Sequence, residues 1–333
     1  MKSFLTLIAF LVVSVISNAQ NVTFSEVNLK STETGKGKLR KAPKKIYIAE
    51  FRVFYQIVYT ASETEKGKLA GNMLTGSATA SLMMNLSGLV DEDLIGNTNY
   101  LYNQTITRMK EAGYEIVTPD QIAGIKEFKG WQRKKGGTLN DAQAKGFLMS
   151  TPTDFEYFVK GTKESGKEKS TFTDNSAKIS FQGDNVTVVK INLIVPMAEN
   201  GESYISSALD IGAKAVGQTA FKISDEGVGG TFTTCSFINS EAMSLPTSMM
   251  VYNLKDPIEI EGVLEKQKVK VVGVQDISFG IDIGLFRHFE VENTITRKSV
   301  PIPVESALYN KGVRDAGDAF IKKCWEDFYS SAK

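Results

Sequence analysis

The stretch Ile46-Tyr-Ile-Ala-Glu-Phe-Arg-Val-Phe-Tyr-Gln-Ile-Val-Tyr-Thr60 decides the fold. Its odd positions from Tyr47 to Tyr59 are all apolar, and this alternation predicts a half-buried strand. The polar even positions are Glu50, Arg52, Gln56 and Thr60. Fully extended, the stretch would span about 50 Å, which exceeds an ordinary strand. We therefore predict that the strand bends at a bulge or projects past the body of the domain.

A second alternating stretch, from Ile277 to Ile295, predicts another long strand that ends at Pro301 and Pro303. We expect the two long strands to lie side by side, because neighbouring long strands bury the most surface. A stripe of apolar residues follows at helical spacing and predicts a C-terminal helix that docks on the sheet. The stripe consists of Val313, Ala316, Phe320, Cys324 and Phe328.

A helix, a turn and a short strand are predicted after the first long strand. Asn97 and Asn99 are candidate N-caps, and the apolar residues of the following segment recur at helical spacing up to Met109. Gly113 is placed to take the left-handed conformation that ends a helix. Tyr114 to Val117 then predicts a short buried strand.

Four further segments have recognisable patterns. Gly183-Asp184 separates two apolar runs as a hairpin turn does, and the Ala- and Gly-rich segment 206–222 favours a closely packed helix. The predicted strands are 178–182 and 185–195 (first hairpin), 232–238, 249–254, and 258–264 with 269–274 (second hairpin).

The segment from Met73 to Leu89 fits two periods. Leucines recur at helical spacing, whereas Thr and Ser alternate with apolar residues at strand spacing. A plain helix or a buried strand is the favoured interpretation. The alternative is one half of a membrane-inserted hairpin, for which interfacial aromatic residues are lacking here.

The first residues are typical of a secretory signal. Lys2 precedes an apolar run from Phe4 to Ile16, and Ala19 ends a small-residue cleavage pattern, so residues 1–19 are predicted to be a signal peptide. The next residue is Gln20, which offers no lipidation handle. Residues 20–45 are polar and basic and predict an exposed flexible arm. We predict a single α+β domain over 46–333, with a mixed or mainly antiparallel sheet flanked by helices and a polar insertion around 121–169.

Charge and cysteine content exclude some functions. The formal net charge is +1, and loss of the signal would bring it to about zero, so no global basic field indicates nucleic acid. The basic arm suggests an anionic cell-surface component as one partner. Cys235 and Cys324 are the only cysteines, and the sequence leaves open whether they form a disulfide.

The sequence contains no recognisable catalytic motif. His288 is the only histidine, so zinc motifs that need two histidines are excluded, and a triad would have to use this residue. The GxSxG elbow does not occur. Asp276 and Asp282 are the carboxylates to inspect for paired-acid hydrolysis. We predict no catalytic, cofactor-binding or metal-binding residue.

Four motifs have a functional interpretation that a plainer one outweighs. The Asp91-Glu-Asp93 triplet could hold calcium but is more typical of a solvated turn. Trp131, among five cations between Lys126 and Lys135, could stack on a base or sugar but favours an ordinary exposed loop. Gly161 to Glu168 resembles a phosphate loop except that Glu168 replaces the Ser or Thr that holds magnesium. The glycines of Gly227 to Gly230 predict a turn.

The unit Ile48-Ala-Glu-Phe51, followed by Ile106, Met109 and Ala112-Gly-Tyr-Glu-Ile-Val117, resembles the opening of the periplasmic α/β domains of the CsgG, LpoB and TolB N-terminal group. The resemblance covers about residues 46–117. It implies a mixed sheet flanked by helices and a non-catalytic role in the cell envelope, as a secretion-channel subunit, an activator of a wall synthase or an adaptor. Members of the first two kinds are usually lipoproteins, from which Gln20 departs.

Together these features predict an exported cell-envelope protein with a non-enzymatic interaction, structural or adaptor role. The location is periplasmic or outer-membrane-associated, with extracellular as the alternative. The expected partner is an envelope protein or an anionic surface component, without a cofactor or nucleic acid. Peripheral membrane association and a homo-oligomer are open. A secretion-channel or pore subunit is the first functional alternative, and a carboxylate-dependent hydrolase is the second.

Overall fold

The computed structural model of the protein describes residues 21–66, 69–70, 73–169, 174–201, 213–242, 245–273, 277–279, 281–283, 286–288 and 294–333. The predicted signal peptide over residues 1–19 lies outside these ranges. The helices of the described part are α1 (Lys36–Leu39), α2 (Asp91–Glu111), α3 (Pro119–Ile122), a 3-10 turn (Lys126–Phe128), α4 (Ser176–Gln182) and α5 (Ser306–Ala332).

Strands make up most of the regular structure. They are β1 (Thr23–Phe24), β2 (Leu29–Thr34), β3 (Lys45–Gln56), β4 (Val58–Glu65), β5 (Leu69–Ala70), β6 (Met73–Thr75), β7 (Ala78–Ser87), β8 (Glu115–Ile116), β9 (Gln132–Lys135), β10 (Leu139–Asn140), β11 (Phe147–Ser150), β12 (Glu156–Val159), β13 (Thr187–Val195), β14 (Ala198–Glu199), β15 (Ala213–Thr219), β16 (Lys222–Ile223), β17 (Thr234–Asn239), β18 (Ser248–Leu254), β19 (Ile258–Glu261), β20 (Lys268–Gly273), β21 (Ile277–Phe279), β22 (Ile281–Ile283), β23 (Phe286–His288) and β24 (Thr294–Pro303).

The central sheet has the order β10-β11-β3-β13-β17-β18-β2, and β8 also pairs with β3. The β3–β13 and β3–β8 ladders are parallel, and the other ladders of this sheet are antiparallel. The protein is therefore α+β with mainly antiparallel pairing, and the predicted fold class is confirmed. The C-terminal helix is confirmed as well.

One face of the central sheet is covered by α2 and α5. Val313, Ala316 and Phe320 of α5 are buried in the same core as Phe51 and Val53 of β3. The rings of Phe328 and Phe237 stack with centroids 4.1 Å apart, which fixes α5 on β17. This apolar surface, which we call the helix face, is the main core of the protein, and the stripe predicted from the sequence forms it.

Helix α2 begins at Asp91, six residues before the predicted cap. The triplet Asp91-Glu-Asp93 is thus the first turn of a helix, where carboxylates interact favourably with the exposed N–H groups. Gly113 has φ +84°, and the N–H of Tyr114 donates to the Met109 carbonyl over 3.0 Å. The predicted left-handed helix end is confirmed, and β8 follows it.

The predicted long strand 46–60 divides into two strands that belong to different sheets. The chain leaves the central sheet at Ile57, where the N–H groups of Ile57 and Val58 both donate to the Gly146 carbonyl. Strand β4 then pairs with β7, which also pairs in parallel with β24. In the described residues β3 has β11, β13 and β8 as neighbours, so the prediction that the two long strands lie side by side is wrong.

The segment 73–89 is extended and not helical. Strands β6 and β7 occupy it, and the inner face of β7 packs on β15 and β20 through Ala78, Ala80 and Leu82. Gly217 of β15 makes this approach feasible, since a Cβ there would lie 2.7 Å from the sulfur of Met84. The three-stranded sheets β24-β7-β4 and β14-β15-β20 thus share a small core of their own.

Residues 21–45, predicted as a flexible arm, instead carry β1, β2 and α1. Strand β2 pairs along its whole length with β18 and forms an edge of the central sheet. Its alternation is weak because most of its side chains are exposed, as is usual for an edge strand. Backbone hydrogen bonds to β18 hold this segment against the sheet, and the amino-acid composition of the segment does not reveal them.

Several local predictions are corrected. The segment 178–182 lies in helix α4, so the hairpin at Gly183 is a helix-to-strand turn. Residues 213–222 form β15 and the start of β16 and not a helix. Strands β19 and β20 exist, but β19 pairs with β1 and β16 whereas β20 pairs with β15. The strands predicted at 232–238 and 249–254 are confirmed as β17 and β18.

Of the second long strand, predicted over 277–295, the structure describes β21, β22, β23 and the first two residues of β24; β22 and β23 pair with each other antiparallel, so the stretch is not one continuous strand. Strand β24 runs through Pro301 to Pro303 and does not end before them. An edge strand tolerates proline because one side of its backbone needs no partner, and β24 is at the edge of its sheet.

Candidate ligand-binding cavity

A cavity of about 260 Å³ lies on the face of the central sheet opposite the helix face. Its floor consists of β3 and β13, and its walls come from the 3-10 turn, α4, the loop after β12 and the turn before β17. Most of its charged side chains belong to the floor or the loop after β12. The charged lining residues are Glu50, Arg52, Lys160, Lys167, Glu168, Lys169 and Lys190.

A β-bulge places two of these charges. Along the β3–β13 ladder Val189 pairs with Ile48 but Lys190 pairs with Glu50, so Ala49 is an extra residue. Before the bulge the even positions Ile46 and Ile48 face the helices, and after it odd positions such as Phe51 do so. Glu50 and Arg52 are thereby directed into the cavity, in keeping with the frequent use of bulges to re-aim side chains at functional sites.

The charged groups form one connected network. Arg52 Nη2 lies 3.0 Å from Glu168 Oε2, and Arg52 Nη1 lies 3.7 Å from Glu50 Oε2. Lys190 Nζ lies 3.6 Å from Glu50 Oε1 and 2.7 Å from Asp174 Oδ1. The Glu168 side chain is only 4% exposed. Charges this deeply placed are costly unless paired, and here each carboxylate has a cation within 3.7 Å.

Additional hydrogen bonds hold the carboxylates. Tyr157 Oη donates to Glu168 Oε1 over 2.8 Å, and Lys134 Nζ lies 3.4 Å from the same oxygen. Asn192 Nδ2 lies 3.5 Å from Glu50 Oε2. Since Lys190 and Asn192 follow each other on one face of β13, the register of the sheet brings both beside Glu50.

The pKa values reflect this pairing. Burial alone would raise the pKa of Glu50, but Arg52, Lys190 and the Asn192 amide outweigh it, so the pKa of Glu50 lies below its usual range. Burial likewise opposes the charge of Lys190, but Glu50 and Asp174 outweigh burial and raise its pKa. Burial raises the pKa of Tyr157, and Glu168 raises it further. Glu50 and Lys190 are therefore charged at neutral pH, and Tyr157 is neutral.

An aromatic wall faces the charges. The rings of Phe128 and Phe158 stack at 4.2 Å between centroids, and Trp131 meets Phe128 edge to face at 5.3 Å. Tyr47 contacts Phe128 from the floor at 6.2 Å. Lys160 Nζ lies 4.4 Å from the centre of the Trp131 ring, within cation–π distance. The cavity thus has one apolar side and one charged side.

Three buried donors in this cavity find no acceptor among the described residues. They are Tyr47 Oη, Arg52 Nε and Trp131 Nε1. Buried donors without a partner cost free energy, and in native proteins they are usually satisfied by a ligand, an ion or water. The cavity is therefore built to receive hydrogen-bond acceptors.

Two glycine-containing loops noted in the sequence complete the walls. The segment Gly161 to Glu168 is a turn closed by the Thr162–Glu168 bridge, and the described residues at its end do not start a helix as a phosphate loop requires. Its Glu168, which spoils the phosphate-loop pattern, is the buried partner of Arg52. Val228 and Thr231 exchange backbone hydrogen bonds, which confirms the predicted turn at Gly227 to Gly230.

The basic segment around Trp131 is not a free loop. Arg133 pairs with Asp120 and Glu156, and Lys134 pairs with Glu168. Trp131 itself is half-buried in the cavity wall. The favoured prediction of an ordinary exposed loop is therefore wrong, because the pairing of β9 with β12 decides what Trp131 contacts.

The side chains considered for catalysis lie outside the part of the chain that the structure describes. His288 belongs to β23, but its side chain is outside the described part of the structure, as are Asp276 and the side chain of Asp282. Within the described ranges, His, Cys, Asp and Glu nowhere gather in threes as a metal site would need. Asp93 accepts hydrogen bonds from the Val90 N–H, Ser306 and Asn310, so it ties α2 to α5.

The two cysteines lie in the core beneath the helix face. Cys235 of β17 and Cys324 of α5 are both buried, and both are free thiols that contact each other. Burial and the neighbouring Cys235 raise the pKa of the Cys324 thiol well above its usual value. They are thus spatial neighbours, which the sequence left open, without a bond between them.

A second concavity, of about 490 Å³, lies over β19 and the loop that follows it. Its polar groups are exposed, and Lys266 pairs with Glu261 at the rim, where both side chains are well over half exposed. Exposed ion pairs add little energy or specificity. The smaller cavity, with its buried charges, is the better candidate for a functional site.

No family model, curated protein or solved structure matches the chain, so comparison with known proteins assigns no function to this cavity. The resemblance of residues 46–117 to the CsgG, LpoB and TolB N-terminal group remains a prediction. Among the helices of the described residues, none combines the length and apolar character of a membrane span.

Proposed function

We propose that the chain is an exported, non-catalytic binding protein of the cell envelope that holds a small ligand in the cavity over β3 and β13. The observation that carries the proposal is the set of buried donors, Tyr47 Oη, Arg52 Nε and Trp131 Nε1, which lack acceptors among the described residues and belong to side chains that line the cavity. The signal-like residues 1–19 support export, and an adaptor role follows if ligand occupancy controls a partner.

The chemistry of the cavity supports binding over hydrolysis. A carboxylic acid that protonates a leaving group needs a pKa raised toward the working pH. The pKa of Glu50 is lowered instead, and Glu168 is held by Arg52 and Tyr157. A hydrolase in this cavity would have to break its own ion pairs first. The hydrolase alternative therefore falls to acids outside this cavity, such as Asp276.

The pore alternative makes a different prediction. Its candidate wall is the segment from Met73 to Leu89 together with the overlong strands, but Ala78, Ala80 and Leu82 of that segment serve the core that β7 shares with β15 and β20. A pore subunit would extract with detergent as a ring-sized assembly. A monomer in the soluble periplasmic fraction would contradict this alternative and leave the binding proposal standing.

The test uses the full chain isolated from its native envelope under non-denaturing conditions, with native mass spectrometry to detect retained small molecules. The Thr231→Trp variant places a large ring at the cavity wall, and Phe232→Trp puts the same ring on the exposed neighbour as a matched control. We expect the wild type and Phe232→Trp to retain a small molecule that Thr231→Trp loses. Equal retention, or none in any form, would overturn the proposal.

A further inference from the structure

We infer that the ligand is a small organic anion, with a carboxylate or phosphate head joined to an apolar body; this inference rests on the proposed binding function. Three features of the cavity lead to it. They are an excess of cations, unpartnered groups that need an acceptor, and an aromatic wall.

The charge balance favours an anion. Five cationic side chains line the cavity against two carboxylates. Arg52 and Lys190 are engaged by Glu50, Glu168 and Asp174, and Lys160 lies 3.9 Å from Glu127. The half-buried Lys167 and the exposed Lys169 form no ion pair with any residue that the structure describes, so their loop leaves a net positive charge on this side of the cavity. A cation, including a metal ion, would be repelled there, whereas an oxyanion would gain charge-assisted hydrogen bonds.

The unpartnered groups also favour a carboxylate or phosphate as the head group of the ligand. Tyr47 Oη, Trp131 Nε1 and Arg52 Nε can all donate a hydrogen bond. A carboxylate or phosphate offers several acceptor lone pairs and can satisfy more than one donor at once. Glu168 Oε2 and Asn192 Oδ1 are the unpartnered acceptors at this site; Glu168 Oε2 lies 3.0 Å from Arg52 Nη2, so its charge is already compensated, and the Asn192 oxygen is neutral.

The size and the aromatic wall define the rest of the ligand. About 260 Å³ is slightly less than the smallest drug-sized pockets, at roughly 300 Å³. It corresponds to about nine water volumes of roughly 30 Å³ each. A bare inorganic ion would leave the faces of Phe128, Trp131 and Phe158 against water, and a membrane lipid is too large. A compact apolar or aromatic body fits both the volume and the wall.

The test reads the fluorescence of Trp131 in the full chain. The protein has two tryptophans, so the Trp325→Phe variant leaves Trp131 as the only one. The probes are phenylacetate, phenyl phosphate, phenylacetamide and inorganic phosphate. We expect at least one of the two aromatic anions to bind about tenfold tighter than phenylacetamide and inorganic phosphate, with an affinity that falls as salt is added. The anion that binds better identifies the head group.

Two variants make the result specific. Lys167→Gln removes an uncompensated cation of the cavity and should weaken the anionic probes several-fold without affecting phenylacetamide. Lys163→Gln, on the exposed part of the same loop, is the control and should change the binding of neither the anionic probes nor phenylacetamide.

Equal binding of phenylacetamide and phenylacetate, or no binding of either aromatic anion, would overturn the inferred ligand class. The proposed function fails separately, if Thr231→Trp and the wild type retain the same molecule equally or if no form retains any.

Discussion

The two faces of the central sheet are built from the same strands but in opposite ways. On the helix face, Phe51, Val53 and Tyr55 of β3 are fully buried against α2 and α5, and the surface is almost wholly apolar. On the cavity face, Glu50 and Arg52 of the same strand lie among ions and unsatisfied donors. The helix face stabilises the fold, whereas the cavity face carries desolvated charge that stability alone does not need.

A single residue separates the two patterns. The bulge at Ala49 changes which side of β3 faces the helices, so one strand serves an apolar core at both ends and a charged cavity in between. The free energy gained by burial on the helix face offsets the cost of the desolvated charges in the cavity. The variants below test this difference between the two faces.

Deletion of Ala49 should have the largest effect. Without the extra residue, either Ile46 and Ile48 or Phe51 and Val53 would turn away from the helix face, because a one-residue shift moves every side chain to the other face. We expect a loss of more than about 4 kcal/mol, enough to unfold many domains. Circular dichroism and limited proteolysis would show it. The control Ala49→Ser keeps the bulge and should stay folded, and a folded deletion variant would contradict the role of the bulge.

Truncation of the helix face should follow in size. Phe320→Ala removes a fully buried ring of α5 and should lower the free energy of unfolding by about 3 to 5 kcal/mol. Phe158→Ala removes a half-buried ring of the cavity wall and should cost about 1 kcal/mol. Urea unfolding measures both, with the exposed Lys322→Ala as the control. Equal losses at Phe320 and Phe158 would show that the two faces do not differ.

Breaking one ion pair of the cavity should cost less than Phe320→Ala and be reversible by a second change. Arg52→Met leaves Glu168 buried with only Lys134 as a cation nearby, at 3.4 Å, and should destabilise the protein by about 3 kcal/mol. Adding Glu168→Leu removes the stranded charge and should restore most of that loss. A double-mutant cycle from urea unfolding measures the coupling. Additive losses would contradict the pairing.

The smallest effect concerns acid stability. Because the pKa values of Glu50 and Asp174 are lowered by folding, the unfolded chain binds protons that the folded chain does not, so stability is lost as the pH falls below the ordinary carboxyl range, about 4 to 4.5. Glu50→Gln should flatten this part of the stability profile, while Glu305→Gln on the loop before α5 should not. An unchanged slope for Glu50→Gln would show that folding does not lower the pKa of Glu50.

The sequence predicts the helix face better than the cavity face for a physical reason. An apolar stripe such as Val313 to Phe328 has only one favourable place to go, namely the core, so its periodicity is informative. The α+β class, the C-terminal helix and the left-handed Gly113 all follow from such local signals. The edge pairing of β2 and the departure of β4 to another sheet depend on long-range backbone pairing, which no local pattern contains.

The sequence does not predict the cavity, because the residues that line it are far apart along the chain and come together only in the folded structure. Arg52 and Lys190 are charges within apolar runs, which is a signal that could have marked them, but the period-two interpretation assigned Arg52 to a solvent face. Glu168 was noticed only as the residue that spoils a phosphate loop. The phase change at Ala49 was visible too, since Ile46 and Ile48 are apolar at even positions and Phe51 and Val53 at odd ones.

The most direct test of the difference between the faces combines stability and binding in one variant. Arg52→Met with Glu168→Leu replaces buried ions by apolar side chains of similar size, in the Trp325→Phe background. We predict a free energy of unfolding within about 1 kcal/mol of the parent, or above it, together with loss of phenylacetate or phenyl phosphate binding. A variant that loses several kcal/mol yet binds the probe as before would show that the ions serve the fold and would contradict the account.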